Sequence, residues 1–153
     1  MTTDLAHDTL RFERRFAHPP RVVFDAYADI DQRVTWSAPS DDEVVIFETH
    51  DFTVGGIDRF ICGPKESPSF AGTTRYHAIV DGETIVFTER LTNLDDDLSA
   101  VSLVTWNVTA DGDGSLLTIV DQVASIVGDG PIHGSRHGYT AMLDQLAKHL
   151  VTR

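Results

Sequence analysis

The segment that decides the fold is the last long one, and it reads GPIHGSRHGYTAMLDQLAKHL over residues 130–150. The segment after Gly130-Pro131 is predicted to be the only long helix. Stepping 100° per residue from Tyr139 places the apolar side chains within about 60° of Tyr139. These side chains are Ile132, Met142, Leu143, Leu146 and Leu150. The rest of the chain is expected to cover this apolar stripe.

The chain ahead of this helix shows the period-2 alternation of β-strands. The predicted strands are Leu10–Phe16, Val44–Phe52, Ile57–Gly63, Gly72–Val80, Thr84–Leu91, Ala100–Val108 and Ser115–Ile126. The links between them carry turn residues, namely Gly55-Gly56 for positive φ, Asp81-Gly82 and the tetrapeptide at 111–114. Parallel pairing needs a crossover of about a dozen residues, so strands joined by such short links are expected to be antiparallel.

Two short helices are predicted after the first strand. Proline suits the first turn of a helix, and the apolar residues that follow Pro20 recur at helical spacing, which indicates a helix over Pro20–Ala28. A second helical turn is expected over Asp29–Trp36 and is stopped near Pro39. The predicted fold class is therefore α+β, a curved antiparallel sheet of about six to seven strands that grips a long C-terminal helix.

Length and composition limit the function classes. A chain of 153 residues is predicted to form a single domain over residues 1–153, with a flexible N-terminus at 1–8. The net charge of −12 disfavours nucleic acid and anionic lipid surfaces as partners. The single cysteine, Cys62, excludes an intramolecular disulfide and is expected to be a buried apolar residue. The sequence has no signal-peptide pattern and no apolar run of about 20 residues, so a cytoplasmic location without membrane insertion is expected.

Several residues match a known family in order and spacing. The first strand carries Arg14 and leads into Pro19 and then Val23-Phe24, and Trp36 precedes Pro39. The run Asp51-Phe52-Thr53-Val54-Gly55-Gly56 is similar to an Asp-x-Arg-x-Gly-Gly hairpin, with Thr53 in place of the basic residue. The closing helix carries Gly138-Tyr139 where the family has Gly-Trp. From about Leu10 to Leu150 the chain resembles the activator of heat-shock protein 90 ATPase homologue family of the START-like superfamily.

The resemblance implies a deep apolar cavity between the helix and the concave face of the sheet. In the superfamily, such cavities hold lipids, steroids, polyketides or plant metabolites. A small hydrophobic or aromatic molecule is therefore the expected partner, and no cofactor is expected. The eukaryotic co-chaperones that named the family carry an additional N-terminal domain, which this chain has no room for.

The candidate residues of the cavity wall are aromatic or polar side chains on the predicted strands and helix. They are Trp36, Phe47, Arg59, Tyr76, Phe87, Glu89, Trp106, Tyr139 and Met142. For each aromatic residue, ordinary core packing is an equally good interpretation. Arg59 and Glu89 are more informative, because a charge that faces inward needs a partner or a ligand group. If the strand alternation turns them outward, they are simply solvated.

Other residue clusters are given a structural interpretation. His133 and His137 have zinc-ligand spacing, but they fall opposite the apolar stripe without a third ligand, so no metal site is predicted. A hydrolase set could be assembled from Ser135, Arg136 and Asp121, but no nucleophile elbow is present. These residues are therefore interpreted as unrelated surface residues. Gly134 and Gly138 are expected to allow close approach of another backbone.

Three functions remain open. The first is binding or carriage of a small hydrophobic or aromatic ligand. The second is an enzyme of the same fold, a cyclase, dehydratase or hydrolase with Glu89 as the candidate catalytic base. The third is a regulator of a chaperone ATPase or another interaction module, which would show a large exposed apolar patch. The oligomeric state is open, with a homodimer among the alternatives.

Overall fold

The computed structural model describes residues 3–152. It contains seven strands and three helices in a simple order along the chain. They are β1 Ala6–Phe16, α1 Pro20–Ala28, α2 Ile30–Trp36, β2 Glu43–Thr49, β3 Ile57–Pro64, β4 Phe70–Val80, β5 Thr84–Asn93, β6 Leu98–Asp111, β7 Gly114–Ser125 and α3 Gly130–Val151. The predicted α+β class with a closing helix is confirmed.

The seven strands form one antiparallel sheet in the order β1-β7-β6-β5-β4-β3-β2. Strands β2 to β7 form a meander, because each is joined to the next by a short link, and β1 pairs with β7 at the far side. β1 starts at Ala6 rather than Leu10, so residues 6–8 of the predicted flexible segment are paired with Ser125, Ala124 and Val123. Residues 1 and 2 of that segment lie outside the described part of the chain.

The second strand differs from its prediction. β2 ends at Thr49 instead of Phe52, after a register shift between Phe47 and Thr49. The backbone then turns inward at Asp51, whose N–H donates to Asp58 Oδ1 at 3.0 Å. As a result, Phe52 packs into the core from a loop, with its ring 5.0 Å from that of Tyr76.

The turn before β3 uses its two glycines for different reasons. Gly55 has φ of +85°, which side-chain-bearing residues rarely adopt. Gly56 does not have positive φ, contrary to the prediction for the pair. A Cβ at Gly56 would lie 2.2 Å from the carbonyl oxygen of Asp51, so this position requires glycine for a close backbone approach.

The main core lies between the sheet and the three helices. Tyr27 on α1 is at its centre, and its ring contacts those of Trp36, Phe52, Tyr76, Phe87 and Trp106. α3 contributes Leu143, Leu146 and Leu150 from the predicted apolar stripe. Its first turn packs differently, since Ile132 joins Leu10 and two other residues in a second, smaller cluster.

Candidate functional site

A cavity of about 420 Å³ lies between α3 and the concave face of the sheet. Its wall is predominantly apolar and is rich in rings. The aromatic residues in the wall are Tyr27, Trp36, Phe47, Phe60, Phe70, Phe87, Trp106 and Tyr139. Phe70 and Gly134 line the cavity and are also exposed, which indicates that the cavity opens to solvent between the start of β4 and the first half of α3.

Most of the residues predicted for the wall lie there. Those that line the cavity are Trp36, Phe47, Phe87, Glu89, Trp106, Tyr139 and Met142. Tyr76 is buried behind the wall, where its hydroxyl contacts Asp58, a residue that does line the cavity.

Arg59 does not face the cavity, and its prediction as a wall residue is wrong. It is exposed on the outer face of β3, while Asp58 and Phe60 on either side of it line the cavity. The cause is the period of the strand, because Asp58, Phe60 and Cys62 share one face and Arg59 belongs to the other.

The inward-facing cation that was not predicted from the sequence is Arg33. This α2 residue is 3% exposed, and its Nη1 donates to Asp58 Oδ2 at 2.9 Å and to the Tyr76 hydroxyl at 2.8 Å. The guanidinium lies 4.6 Å from the ring centroid of Tyr27 and 4.8 Å from that of Phe47. A buried cation is thus held by one carboxylate and by aromatic faces.

Two phenols complete this buried network. The Tyr76 hydroxyl donates to Asp58 Oδ2 at 2.5 Å, so the Tyr27 hydroxyl donates to Tyr76 at 2.9 Å. Burial raises the pKa of Tyr27 and of Tyr76, which keeps both phenols protonated as donors. Among the described residues, Arg33 Nε has no hydrogen-bond partner. Arg33 and Trp36 are both buried on α2. Residues three apart lie on one face of a helix, so the spacing from Trp36 is the sequence signal that indicates burial of Arg33.

A row of polar side chains crosses the floor of the cavity. Cα pairing aligns Asp58 with Thr74, Thr74 with Glu89, and Glu89 with Ser102 on four consecutive strands. All four are on the concave face, and Asp58, Thr74 and Ser102 are almost fully buried. The cavity therefore presents a polar strip within an apolar wall, which is the usual arrangement of an orienting site.

Two carboxyl groups on the concave face, those of Glu89 and Asp121, have a raised pKa. Burial and the neighbouring Asp121 raise the pKa of Glu89 to about 7, against the effect of a hydrogen bond with Thr74. Burial also raises the pKa of Asp121, although hydrogen bonds with Ser102 and Ser135 act in the opposite direction. Glu89 is thus half protonated near neutral pH.

The interpretation of Asp121 and Ser135 as unrelated surface residues is wrong. Asp121 is 1% exposed, and Ser135 is in the wall of the cavity. Arg136, the third member of that set, is exposed, and its Nη2 lies 3.6 Å from Asp8 Oδ2. The helix turns Ser135 and Arg136 to different sides, because successive residues are 100° apart.

The glycines of α3 shape the cavity instead of admitting another backbone. A Cβ built on Gly134 or Gly138 would meet no atom within 4 Å, and both residues line the cavity. The predicted close backbone approach is therefore wrong at both positions. The missing side chains leave open volume beside Ser135 and Tyr139.

The other candidate groups lie away from this site or are inert. His133 and His137 are exposed on α3, and His133 Nε2 is 3.2 Å from Asp129 Oδ2. Within residues 3–152, no group of three or more His, Cys, Asp or Glu is arranged to hold a metal ion. Burial raises the pKa of the Cys62 thiol, which fits its predicted role as a buried apolar residue. No helix in the described part of the chain is long and apolar enough to cross a membrane.

The curved sheet, the closing helix and the cavity between them define a helix-grip protein of the START-like class. The chain belongs to the family described as activator of Hsp90 ATPase homolog 1-like protein, whose sequence model matches residues 17–151. The resemblance expected from the sequence is therefore confirmed.

Solved structures agree with this assignment. An uncharacterized protein from Rhizobium leguminosarum is similar with a TM-score of 0.89 and 22% identity, over 100% of both chains. The Mll3558 protein from Rhizobium loti has a TM-score of 0.84 and 29% identity, over 95% of this chain and 99% of that one. DynU16, a protein in the dynemicin biosynthetic locus, has a TM-score of 0.71 and 17% identity, over 95% of this chain and 48% of its own. No curated protein sequence matches the chain.

Proposed function

We propose that this protein binds and carries a small hydrophobic or aromatic molecule in the cavity between α3 and the sheet. The observation that carries the proposal is the cavity of about 420 Å³ with its predominantly apolar wall of aromatic side chains. Ligand sites in proteins are about 300–1,000 Å³ and have apolar walls with a few polar groups that fix orientation. Both properties are present, and the START-like fold of the family is consistent with ligand binding.

The proposal can be tested with the tryptophans of the protein itself. The chain has two tryptophans, Trp36 and Trp106, and both line the cavity. Prodan, a neutral naphthalene dye, should therefore accept energy from tryptophan on binding, and its emission should shift to the blue in the apolar wall. Native mass spectrometry of protein purified gently from its source should show a bound small molecule. An unliganded mass, no energy transfer and no thermal shift across a lipid and aromatic library would refute the proposal.

Replacing Gly138 with Leu is expected to weaken prodan binding by about tenfold or more without unfolding the protein. The new side chain points into open cavity volume, so ligand and side chain compete for the same space. The variant should also be up to about 1 kcal/mol more stable, because glycine is a poor helix former. Binding is measured by energy transfer, and stability by urea unfolding.

The matched control is His137→Leu, the same kind of side chain placed one residue away on the exposed side of α3. It should leave prodan affinity unchanged. Equal affinities in the wild type and Gly138→Leu would show that the dye binds elsewhere.

One observation favours a second candidate, an enzyme that uses Glu89 as an acid or base. The pKa of Glu89, raised to about 7 by burial and Asp121, is suited to proton transfer near neutral pH. Ligand extracted from the wild type after incubation should then differ in mass or isomeric form from ligand extracted from Glu89→Gln. Identical ligand from both proteins would leave carriage as the function.

A further inference from the structure

Within residues 3–152, no cationic side chain forms an ion pair with the Glu89 or Asp121 carboxyl group. Asp121 is 1% exposed on the concave face, and its Oδ1 has no hydrogen-bond partner among the described residues. Ser102 and Ser135 lie beside its carboxyl group and act to lower its pKa, and Ser135 lines the cavity. A buried acceptor without a donor is costly, and Gly134 and Gly138 leave open volume beside Ser135 in the cavity wall.

The charge balance of the cavity also indicates that Glu89 and Asp121 have no cationic partner. The titratable groups that line the cavity with Glu89 are Tyr27, Arg33, Glu43, Asp58, Cys62 and Tyr139, and Asp121 is close enough to Glu89 to raise its pKa. Among the described residues, three carboxyl groups, those of Glu43, Asp58 and Glu89, thus line the cavity with a single basic side chain, Arg33, and Asp121 adds a fourth carboxyl group beside Glu89. Asp58 already engages Arg33 in an ion pair of 2.9 Å. Glu89 and Asp121 are therefore next to each other without a cation, and neighbouring like charges disfavour ionisation.

Aromatic rings flank the same carboxyl groups. Phe87 precedes Glu89 by two residues on the same face of β5, and Tyr139 on α3 lines the cavity above them. Burial raises the pKa of Tyr139 well above its ordinary value, and Glu89 and Asp121 add to this shift, so its ring remains an uncharged phenol. Faces of neutral aromatic rings attract cations, and carboxylates accept hydrogen bonds from ammonium groups.

We propose that the cavity selects hydrophobic amines, with the apolar body against the aromatic wall and the protonated nitrogen bound by Glu89, next to the charge of Asp121. This inference rests on the function proposed above, since it names the chemical class of the ligand. An ammonium group at Glu89 compensates two neighbouring carboxylates that no cationic side chain among the described residues pairs with. A carboxylic acid of the same size is disfavoured, because it adds a further negative charge.

Three probes of one shape test the proposal by isothermal titration calorimetry at pH 8: 1-naphthylmethylamine, 1-naphthalenemethanol and 1-naphthoic acid. The amine is expected to bind about tenfold or more tightly than the alcohol, since a hydrogen bond to a charged group is stronger than one between neutral groups. The acid should bind most weakly. In Glu89→Gln the preference for the amine should fall to less than about threefold, with affinity for the alcohol retained.

The pH dependence of the wild type gives a second measurement that needs no variant. Glu89 has a pKa of about 7 and must be ionised to bind the ammonium group, so affinity for the amine should fall about tenfold between pH 8 and pH 6. Affinity for the alcohol should stay constant over the same range. Asp121→Asn serves as the alternative variant if Glu89→Gln does not fold, and it should also reduce the preference for the amine.

The outcomes separate the two proposals. Equal binding of amine and alcohol, or tighter binding of the acid, would overturn the selectivity for amines while leaving the cavity as a ligand site. A preference for the amine that survives in both variants would place its recognition elsewhere and would also overturn the inference. Failure of all three probes to bind would count against the aromatic ligand site itself, and the amine inference would fall with it.

Discussion

Replacing Asp58 with Asn is expected to lower the free energy of unfolding by about 3–5 kcal/mol, the largest effect of any single substitution considered for this protein. Asp58 is 1% exposed and Arg33 is 3% exposed, so the variant leaves a buried guanidinium without its carboxylate. The loss extends to Tyr76, whose hydroxyl donates to the same oxygen of Asp58. Urea unfolding followed by circular dichroism measures the change.

A control and a rescue make this prediction specific. Glu13→Gln weakens the exposed ion pair with Arg11 and should cost less than about 1 kcal/mol. Combining Arg33→Met with Asp58→Asn removes the stranded charge and should recover part of the stability, since a buried pair is costly mainly when one partner is left alone. This account would be contradicted if the double variant were less stable than Asp58→Asn by the full destabilisation that Arg33→Met causes alone.

Replacing Glu89 with Gln is expected to stabilise the protein by about 2–3 kcal/mol at pH 8 and to have little effect at about pH 4.5. In the folded state, burial and Asp121 raise the pKa of Glu89 from its ordinary value of 4.5 to about 7. An acid of this kind disfavours folding when it is ionised. The destabilisation of the folded protein by ionised Glu89 is absent below pH 4.5, grows as the pH rises through about 7 and is complete above that. Gln carries no charge and avoids the cost.

The measurement is the difference between the unfolding free energies of the variant and the wild type from pH 4.5 to pH 8. Glu48→Gln, an exposed change on β2, removes the same charge without burial and should leave the difference near zero. If the unfolding free energy of Glu89→Gln changes with pH in the same way as that of the wild type, Glu89 is solvated in the folded protein. A stabilised variant that also loses amine binding would connect the strained carboxyl group to ligand recognition, as is common at functional sites.

The buried charges of this protein divide into two sets with different consequences. Arg33 and Asp58 compensate each other and are bridged by Tyr76, so they fix α2 against β3 and β4. Among the described residues, Glu89 and Asp121 have no such compensation, and Asp121 Oδ1 is a buried acceptor without a donor. The first set therefore supports the fold, and the second is the pair proposed to recognise a ligand amine.

The sequence by itself determined the elements and their order. α1 lies over Pro20–Ala28 as predicted, and the seven strands and α3 occur where periodicity and turn residues indicate them. The antiparallel meander follows as well, because short links such as Asp81-Gly82 permit no crossover. These features depend on residues close together in the chain, so they are visible in the order of the amino acids.

Only the tertiary structure decided what lines the cavity. Alternation divides Asp58 and Arg59 between the two faces of β3, but it does not say which face is concave. The pairing of Arg33 with Asp58, 25 residues apart, and the approach of Glu89 to Asp121 across β6 depend on sheet curvature and on the position of α3. The open volume at Gly138 likewise exists only because the helix packs above the sheet. Such contacts join distant parts of the chain, so local sequence patterns do not predict them.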